Sequence, residues 1–201
     1  MKRFEGVPEA LKEVYDQAFS ILEEAFLSGG KLLICGNGGS CADAEHIEAE
    51  LMKGFRLKRP VGDELFPEGM PDESLRKLQG ALPAIALSGS SPLTSAVIND
   101  TDADLVFAQQ VLGLGKEGDV LLCISTSGNA RDCCLAAMVA RQKKMTVIAL
   151  TGQTGGKLAA FADCLLNVPE KETYKVQEMH LPLYHALCVR LEDRFFGGDH
   201  K

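Results

Sequence analysis

The chain has 201 residues and a formal net charge of -7 at pH 7, a length typical of one domain with a substantial buried core. The acidic balance and the absence of any block of Lys and Arg argue against nucleic acid as a direct ligand. No apolar run approaches the length of a membrane-spanning helix, and the N-terminus turns polar too early for a secretion signal, so we expect a cytosolic protein.

Hydrophobic periodicity predicts helices alternating with strands along the chain. Apolar residues three and four apart over residues 8–28 indicate an amphipathic helix that stops at two glycines. Five short apolar runs have the character of buried parallel strands: residues 31–35, 82–87, 119–124, 145–150 and 163–168. Helical segments are predicted over residues 40–55, 91–114, 130–144, 155–162 and 173–196. This order implies one α/β domain, a three-layer doubly wound sandwich around a five-stranded parallel sheet.

Residues 56–81 follow neither period and contain three prolines and three glycines. Long irregular segments in compact domains are usually functional or mobile. We therefore expect an excursion near the substrate entrance or at a subunit contact, and surface decoration explains the pattern equally well.

The seven cysteines form an odd set without a CxxC motif, which favours reduced thiols that fill the core. Cys35 and Cys41 flank a glycine-rich turn, so a nucleophilic role for one of them stays open.

The glycine-rich turn, residues 36–40, connects the first predicted strand to a helix. In a parallel sheet, ligands bind beyond the carboxyl ends of the strands, where helix N-termini offer free N–H groups. Ser40 is placed to cap the helix or to donate a hydroxyl bond. Neither the dinucleotide fingerprint nor the Walker pattern is complete, which leaves an anion site other than a nucleotide site, or a purely structural tight turn.

A second turn strengthens the anion-site interpretation. Ser125, Thr126 and Ser127 follow a predicted buried strand and precede a helix. Three hydroxyls beside free backbone N–H groups suit a small phosphate ester. A plain Ser/Thr turn with a helix cap is the alternative.

Proton-transfer groups are predicted on two helices. On the helix that begins at the glycine turn, Asp43, His46 and Glu50 share one face, and the i,i+4 step of the last two is also typical of a solvated pair. On the long C-terminal helix, Gln177 and His185 lie within about a quarter turn of each other. A carboxylate and a histidine near a phosphate site suffice for acid–base chemistry on a sugar phosphate. The set His46, Glu50, Gln177 and His185 also suits one divalent metal such as zinc.

Six separated blocks together carry a resemblance to a known family. They are CGNGGS at 35–40, DAEHIEAEL at 43–51, IND at 98–100, GDVLLCISTSGN at 118–129, TVIALTG at 146–152, and VQEMH at 176–180 with His185. In this order they resemble the sugar isomerase (SIS) domain family, and within it the branch that isomerises heptose 7-phosphates. The resemblance runs from the first helix to the last.

The resemblance implies a fold, an assembly and a reaction. The expected assembly is a homotetramer with active sites at subunit contacts. The expected reaction converts sedoheptulose 7-phosphate to D-glycero-D-manno-heptose 7-phosphate through an enediol, for surface polysaccharide. Glu50 and His185 would be the acid–base pair, and zinc would bind His46, Glu50, Gln177 and His185. The remaining implied roles are phosphate binding by Ser125, Thr126 and Ser127, and sugar binding by Asn37, Ser40, Asp100 and Gln177.

Some positions depart from the family pattern. Ala130 stands where a further Ser or Thr usually binds phosphate, Lys175 replaces a usual arginine, and Tyr174 takes a position that is acidic in some members. The segment 56–81 is also longer than expected for the family. These differences bear on the exact substrate more than on the reaction class.

A non-catalytic function is the rival hypothesis. SIS proteins similar to a factor that associates with the replication initiator DnaA share several of these motifs. That branch lacks the acid at the position of Glu50 and the histidine at that of His185, and both are present here. A domain that senses a sugar phosphate is a third possibility.

Overall fold

A computed structural model describes residues 7–62 and 73–198 of the chain. A 3-10 turn at Glu9–Leu11 leads into helix α1, Lys12–Leu27. Its buried residues recur at helical spacing, from Tyr15 through Leu22 to Ala25, so one face of α1 is committed to the core.

Five strands form one parallel sheet, as the sequence predicts. They are β1 (Leu32–Gly36), β2 (Ala84–Ala86), β3 (Val120–Ser125), β4 (Thr146–Thr151) and β5 (Cys164–Asn167). Their spatial order is β2-β1-β3-β4-β5, and every neighbouring pair is parallel. The chain thus starts near the middle of the sheet and winds outward in both directions, which defines a doubly wound fold.

Helices cover both faces of the sheet, so the three-layer prediction is confirmed. The remaining helices are α2 (Gly39–Met52), α3 (Ser91–Asp100), α4 (Val106–Leu114), α5 (Arg131–Gln142) and α6 (Thr173–Phe196). One core cluster joins α1, α2 and α6 to strand residues such as Leu32 and Ile34. The other joins α4 and α5 to the alternate residues, Leu33 and Cys35. The alternation follows from the two-residue period of a strand.

Three predicted helices differ from those observed. The segment predicted as one helix over 91–114 is two, because the Asp102 side chain accepts a bond from the Asp104 N–H and stabilises a 3-10 turn between α3 and α4. The helix predicted over 155–162 is a 3-10 turn at Gly156–Ala160. Gly155 and Gly156 both have positive φ there. The helix predicted over 40–55 ends at Met52, which leaves Phe55 outside it.

The described ends of segment 56–81 are anchored by a buried ion pair. The Glu192 carboxylate of α6 accepts backbone N–H bonds from Phe55, Arg56 and Leu57, and a 2.9 Å bond from Arg59 Nε. The Arg59 guanidinium in turn donates to the carbonyls of Glu50 and Leu51 at the end of α2. We call this group the Arg59–Glu192 clasp. Residues 63–72 lie outside the described part, so the predicted role of this segment remains a prediction.

No helix within residues 7–62 and 73–198 combines the length and the apolar character needed to cross a membrane.

Candidate active site

The glycine turn places α2 directly after β1. Gly38 is the N-cap of α2 with φ of +55°, a conformation that L side chains rarely adopt. Ser40 therefore does not cap the helix; it lies inside the first turn and is 3% exposed. The capping role considered for Ser40 is wrong, because a glycine takes that position.

Gly39 allows a close approach by α6. A Cβ atom at Gly39 would lie 2.4 Å from Nε2 of Gln177. The missing side chain thus lets the amide of Gln177 rest against the first turn of α2. The resemblance groups Gln177 with Asn37 and Ser40 as sugar-binding residues, and this contact places it beside the turn that carries them.

The hydroxyl turn follows β3, the strand next to β1. Ser125 is buried at the end of β3, Thr126 is half-buried and Ser127 is exposed. Ser127 Oγ accepts a 3.1 Å bond from the Asn129 N–H, and Ala130 is the N-cap of α5 without a side-chain bond. The three hydroxyl residues therefore do not cap α5, and in its first turn the Cys133 N–H donates to the Asp132 carboxylate instead.

Asn37 and Asp132 join the two turns. Asn37 Nδ2 lies 2.8 and 3.1 Å from the two carboxylate oxygens of Asp132, in the first turn of α5. A carboxylate only accepts, so it holds the amide nitrogen toward itself and leaves the amide oxygen of Asn37 free to accept. A cavity of about 320 Å³ lies here, lined by Asn37, Asp132, Ser88 and Thr94 among others. Sequence reasoning missed Asp132, since nothing near it in the chain points to Asn37.

Asp100 lies at the end of α3 and is exposed, and its carboxylate accepts a 2.7 Å bond from the adjacent Asn99. The structure gives it no contact with the other predicted sugar-binding residues. Its predicted role therefore stays a prediction.

The predicted proton-transfer groups meet where α2 and α6 pack together. His46 Nε2 is 3.2 Å from Glu50 Oε1 and 3.4 Å from His185 Nε2. The Glu50 side chain is 15% exposed, and the Phe55 ring centre lies 5.6 Å from that of His185. Burial, and then the nearby His46, lower the pKa of His185, which favours a neutral imidazole able to take up or release a proton.

Two further side chains complete this group, which we call the helix-pair cluster: Asp43, His46 and Glu50 of α2 with Tyr184 and His185 of α6. The Tyr184 hydroxyl is 3.1 Å from Asp43 Oδ1 and 3.1 Å from His46 Nδ1. Sequence reasoning placed Asp43 on the same face as His46 and Glu50 among the candidate proton-transfer groups, but it missed Tyr184. No local signal pointed to Tyr184, because its two partners lie 141 and 138 residues away along the chain.

The strand-end turns, residues 36–40 and 125–129, are well separated from the acid of the helix-pair cluster within one chain. Ten residues separate Ser40 from Glu50 on α2, which corresponds to about 15 Å along the helix axis. Gln177 and His185 are two turns apart on the continuous helix α6. The chain therefore brings together His46, Glu50 and His185 but leaves Gln177 at the other end, beside Gly39.

The nitrogen and oxygen donors of the helix-pair cluster are of the types that zinc binds, and some of their separations fit a zinc ion. Two ligands at 2.0–2.1 Å from a tetrahedral ion are about 3.4 Å apart, close to the separations of His46 Nε2 from its two neighbours. In the described ranges, however, no three His, Cys, Asp or Glu side chains are assembled as a metal site. Zinc binding therefore remains a prediction.

Cys35 does not fit the role of nucleophile. It is 1% exposed, and its Sγ is 3.6 Å from that of Cys123 on the neighbouring strand. The Cys123 thiol and burial raise the pKa of Cys35 well above its ordinary value, so its thiolate is disfavoured. All seven cysteines are free thiols, in agreement with the prediction.

Comparison with known proteins defines the class to which this fold and site belong. Two profiles described as SIS domain match the chain, one over residues 83–190 and one over residues 2–80. The chain belongs to the SIS domain family. The resemblance seen in the separated sequence motifs is thereby confirmed.

Within this family, the chain is similar to several phosphoheptose isomerases. A phosphoheptose isomerase from Alteromonas mediterranea is 38% identical over 195 residues, 96% of this chain and 88% of that protein. A solved phosphoheptose isomerase from Neisseria gonorrhoeae is 38% identical with a TM-score of 0.76, covering 91% of this chain and 87% of that one. A third, from Francisella tularensis, is 35% identical, also with a TM-score of 0.76, and covers 90% of this chain and 86% of its own.

Proposed function

We propose that this chain is a phosphoheptose isomerase that interconverts sedoheptulose 7-phosphate and D-glycero-D-manno-heptose 7-phosphate, a step toward surface polysaccharide. The observation that carries the proposal is that Glu50 and His185 each lie within 3.4 Å of His46 Nε2. The chain is also 38% identical to a phosphoheptose isomerase over nearly its whole length. The non-catalytic SIS branch lacks the acid and one of these histidines.

The reaction moves a proton between two neighbouring carbons. A base removes the proton from C1 of the ketose, an enediol forms, and a proton returns to C2 while the oxygens exchange theirs. Glu50 and His185 form the acid–base pair for these transfers. Partial burial of both groups strengthens their electrostatic effect on the enediol, because fewer water molecules screen it.

The strand-end turns bind the rest of the substrate. Ser125, Thr126 and Ser127 donate hydroxyl bonds to the phosphate, and the N-terminus of α5, which follows this turn, adds a favourable helix dipole. Asn37, Ser40, Asp100 and Gln177 contact the sugar. Since Asp132 holds the amide nitrogen of Asn37, the sugar hydroxyl at that point donates to the amide oxygen.

Zinc is part of the proposal. His46, Glu50 and His185 would hold it, and Gln177 would reach it only from a second copy of the chain, since within one chain Gln177 lies beside Gly39. When bound there, zinc would supply Lewis-acid polarisation of the substrate carbonyl.

The assembly we propose is a homotetramer in the cytoplasm with active sites at subunit contacts. The separation of about 15 Å between Ser40 and Glu50 along α2 supports a site that a second copy completes. Exposed apolar side chains on α3 and α4 provide surface for such contacts, among them Leu93, Ile98 and Leu112.

The test is incubation of the purified protein with sedoheptulose 7-phosphate, with and without a chelator, following heptose 7-phosphate by NMR. We expect turnover, and its loss with chelator would establish a metal requirement. Binding of the phosphate ester without turnover would contradict the proposal and favour a sensing domain. Absence of both would favour a partner-binding protein of the DnaA-associated kind.

A further inference from the structure

The Tyr184 hydroxyl lies between a carboxylate and an imidazole. It is 3.1 Å from Asp43 Oδ1 and 3.1 Å from His46 Nδ1, and Tyr184 is 2% exposed. The other carboxylate oxygen, Asp43 Oδ2, is buried and has no hydrogen-bond partner within the described residues. The carboxylate thus depends on Tyr184 as a donor, since a buried acceptor without a partner is costly.

Counting protons assigns a direction to both bonds. A phenol carries one hydrogen and a carboxylate only accepts, so Tyr184 donates to Asp43. The hydroxyl oxygen can then only accept from His46, and His46 must carry a hydrogen on Nδ1 to donate it.

We propose that Tyr184 and Asp43 hold a proton on Nδ1 of His46, so that His46 takes up a proton or binds a metal ion only through Nε2. The Glu50 carboxylate, 3.2 Å from Nε2, only accepts, so either a hydrogen or a metal ion on Nε2 satisfies that contact while Nδ1 keeps its hydrogen. Tyr184 and Asp43 are positioning residues, since neither need touch the reacting atoms.

The orientation matters because of what Nε2 faces. Glu50 Oε1 and His185 Nε2 both lie within 3.4 Å of it. In the opposite neutral tautomer, Nε2 would carry the hydrogen and could not accept a proton or bind an ion there. The consequence for catalysis rests on the proposed function, whereas the tautomer itself does not.

The direct test is the tautomer of His46, measured by two-bond ¹H–¹⁵N correlation NMR on the labelled full-length protein. We expect Nδ1 to be protonated in the wild type and Tyr184→Phe to lose that preference. Tyr15→Phe is the matched control, because Tyr15 is also 2% exposed but lies on α1. A wild type whose Nδ1 carries no hydrogen, or a protonation of Nδ1 unchanged by Tyr184→Phe, would overturn the inference.

Kinetics give a second readout. Supporting hydrogen bonds of this kind typically contribute about 10- to 100-fold, so Tyr184→Phe and Asp43→Asn should lower kcat by that factor with little change in KM. Asp43→Asn replaces a carboxylate, which can only accept, by an amide of the same size that can also donate. This variant replaces Tyr184→Phe in the test if Tyr184→Phe folds poorly. If no variant and no wild type turns over, the proposed function fails, while the NMR result still decides the tautomer.

Discussion

The strand-end turns and the helix-pair cluster are built on different principles. At the turns, glycines and free helix N–H groups let the backbone itself approach a ligand, and the side chains are small and partly exposed. In the cluster, five large polar side chains from two helices hydrogen-bond to one another in a partly buried layer.

The difference matches the tasks proposed for each region. Binding a phosphate requires donors that a turn of five residues can supply. Moving a proton requires groups of controlled protonation, whose partners come from distant parts of the chain. Changes at the turns should therefore alter binding, and changes in the cluster should alter turnover.

The largest effect is expected from Glu50→Gln. Loss of the acid–base carboxylate should lower kcat by about 10²- to 10⁴-fold, and His185→Gln should act similarly. Steady-state kinetics with sedoheptulose 7-phosphate measure it. Glu48→Gln on the same helix is the control and should keep activity. Full activity of Glu50→Gln would remove the cluster from the mechanism.

The next effect concerns the support beneath the cluster. Glu192→Gln in the Arg59–Glu192 clasp should lower the free energy of unfolding by about 3–5 kcal/mol, because a fully buried guanidinium loses its counter-charge. Urea denaturation measures it. Glu117→Gln removes an exposed partner of Lys144 and should cost less than about 1 kcal/mol. Equal losses in both variants would show that burial of the clasp is unimportant.

His180 joins α6 to the sheet, since its Nε2 lies 3.2 Å from the carbonyl of Thr151 at the end of β4. Burial lowers the pKa of His180 from 6.5 to about 4, although this bond opposes the shift. The unfolded chain therefore binds a proton at a higher pH than the folded one. The contribution of His180 to the free energy of unfolding is fully present above pH 6.5 and is lost as the pH falls toward 4.

We expect this loss to amount to about 3 kcal/mol, at about 1.4 kcal/mol per pKa unit. Unfolding free energies measured from pH 8 to pH 4 should decline less steeply in His180→Gln than in the wild type. Parallel declines would show that other groups control the acid sensitivity.

The smallest effect is expected at the strand-end turns. Asp132→Asn should raise KM about tenfold, because Asn37 loses the carboxylate that orients its amide. The value of kcat should stay within about twofold. Asp104→Asn, which loses only an exposed pair with Arg131, should leave both constants unchanged. A fall in kcat instead of a rise in KM would place Asn37 in the chemistry and weaken the contrast between the regions.

How much was predictable differs between the two regions. The strand-end turns lie within short stretches of sequence, and the pair His46 and Glu50 follows from helical spacing on α2. The contact of His46 with His185 spans 139 residues, and that of Tyr184 with Asp43 spans 141. Neither pair carries a local signal. His46 and His185 were grouped as candidate metal ligands by their chemistry and by the family resemblance, whereas the pair of Tyr184 with Asp43 and the Arg59–Glu192 clasp were missed.

The sequence by itself determined the sheet, its parallel strands and the positions of both turns. Hydrophobic periodicity and the residues that form turns are local properties of the chain. Only the tertiary structure decided which polar groups face one another. It set the Asp132 carboxylate against Asn37, the Tyr184 hydroxyl between Asp43 and His46, and Gln177 beside Gly39. The physical reason is that such contacts depend on how α5 and α6 pack beside α2, and many packings satisfy the same hydrophobic pattern.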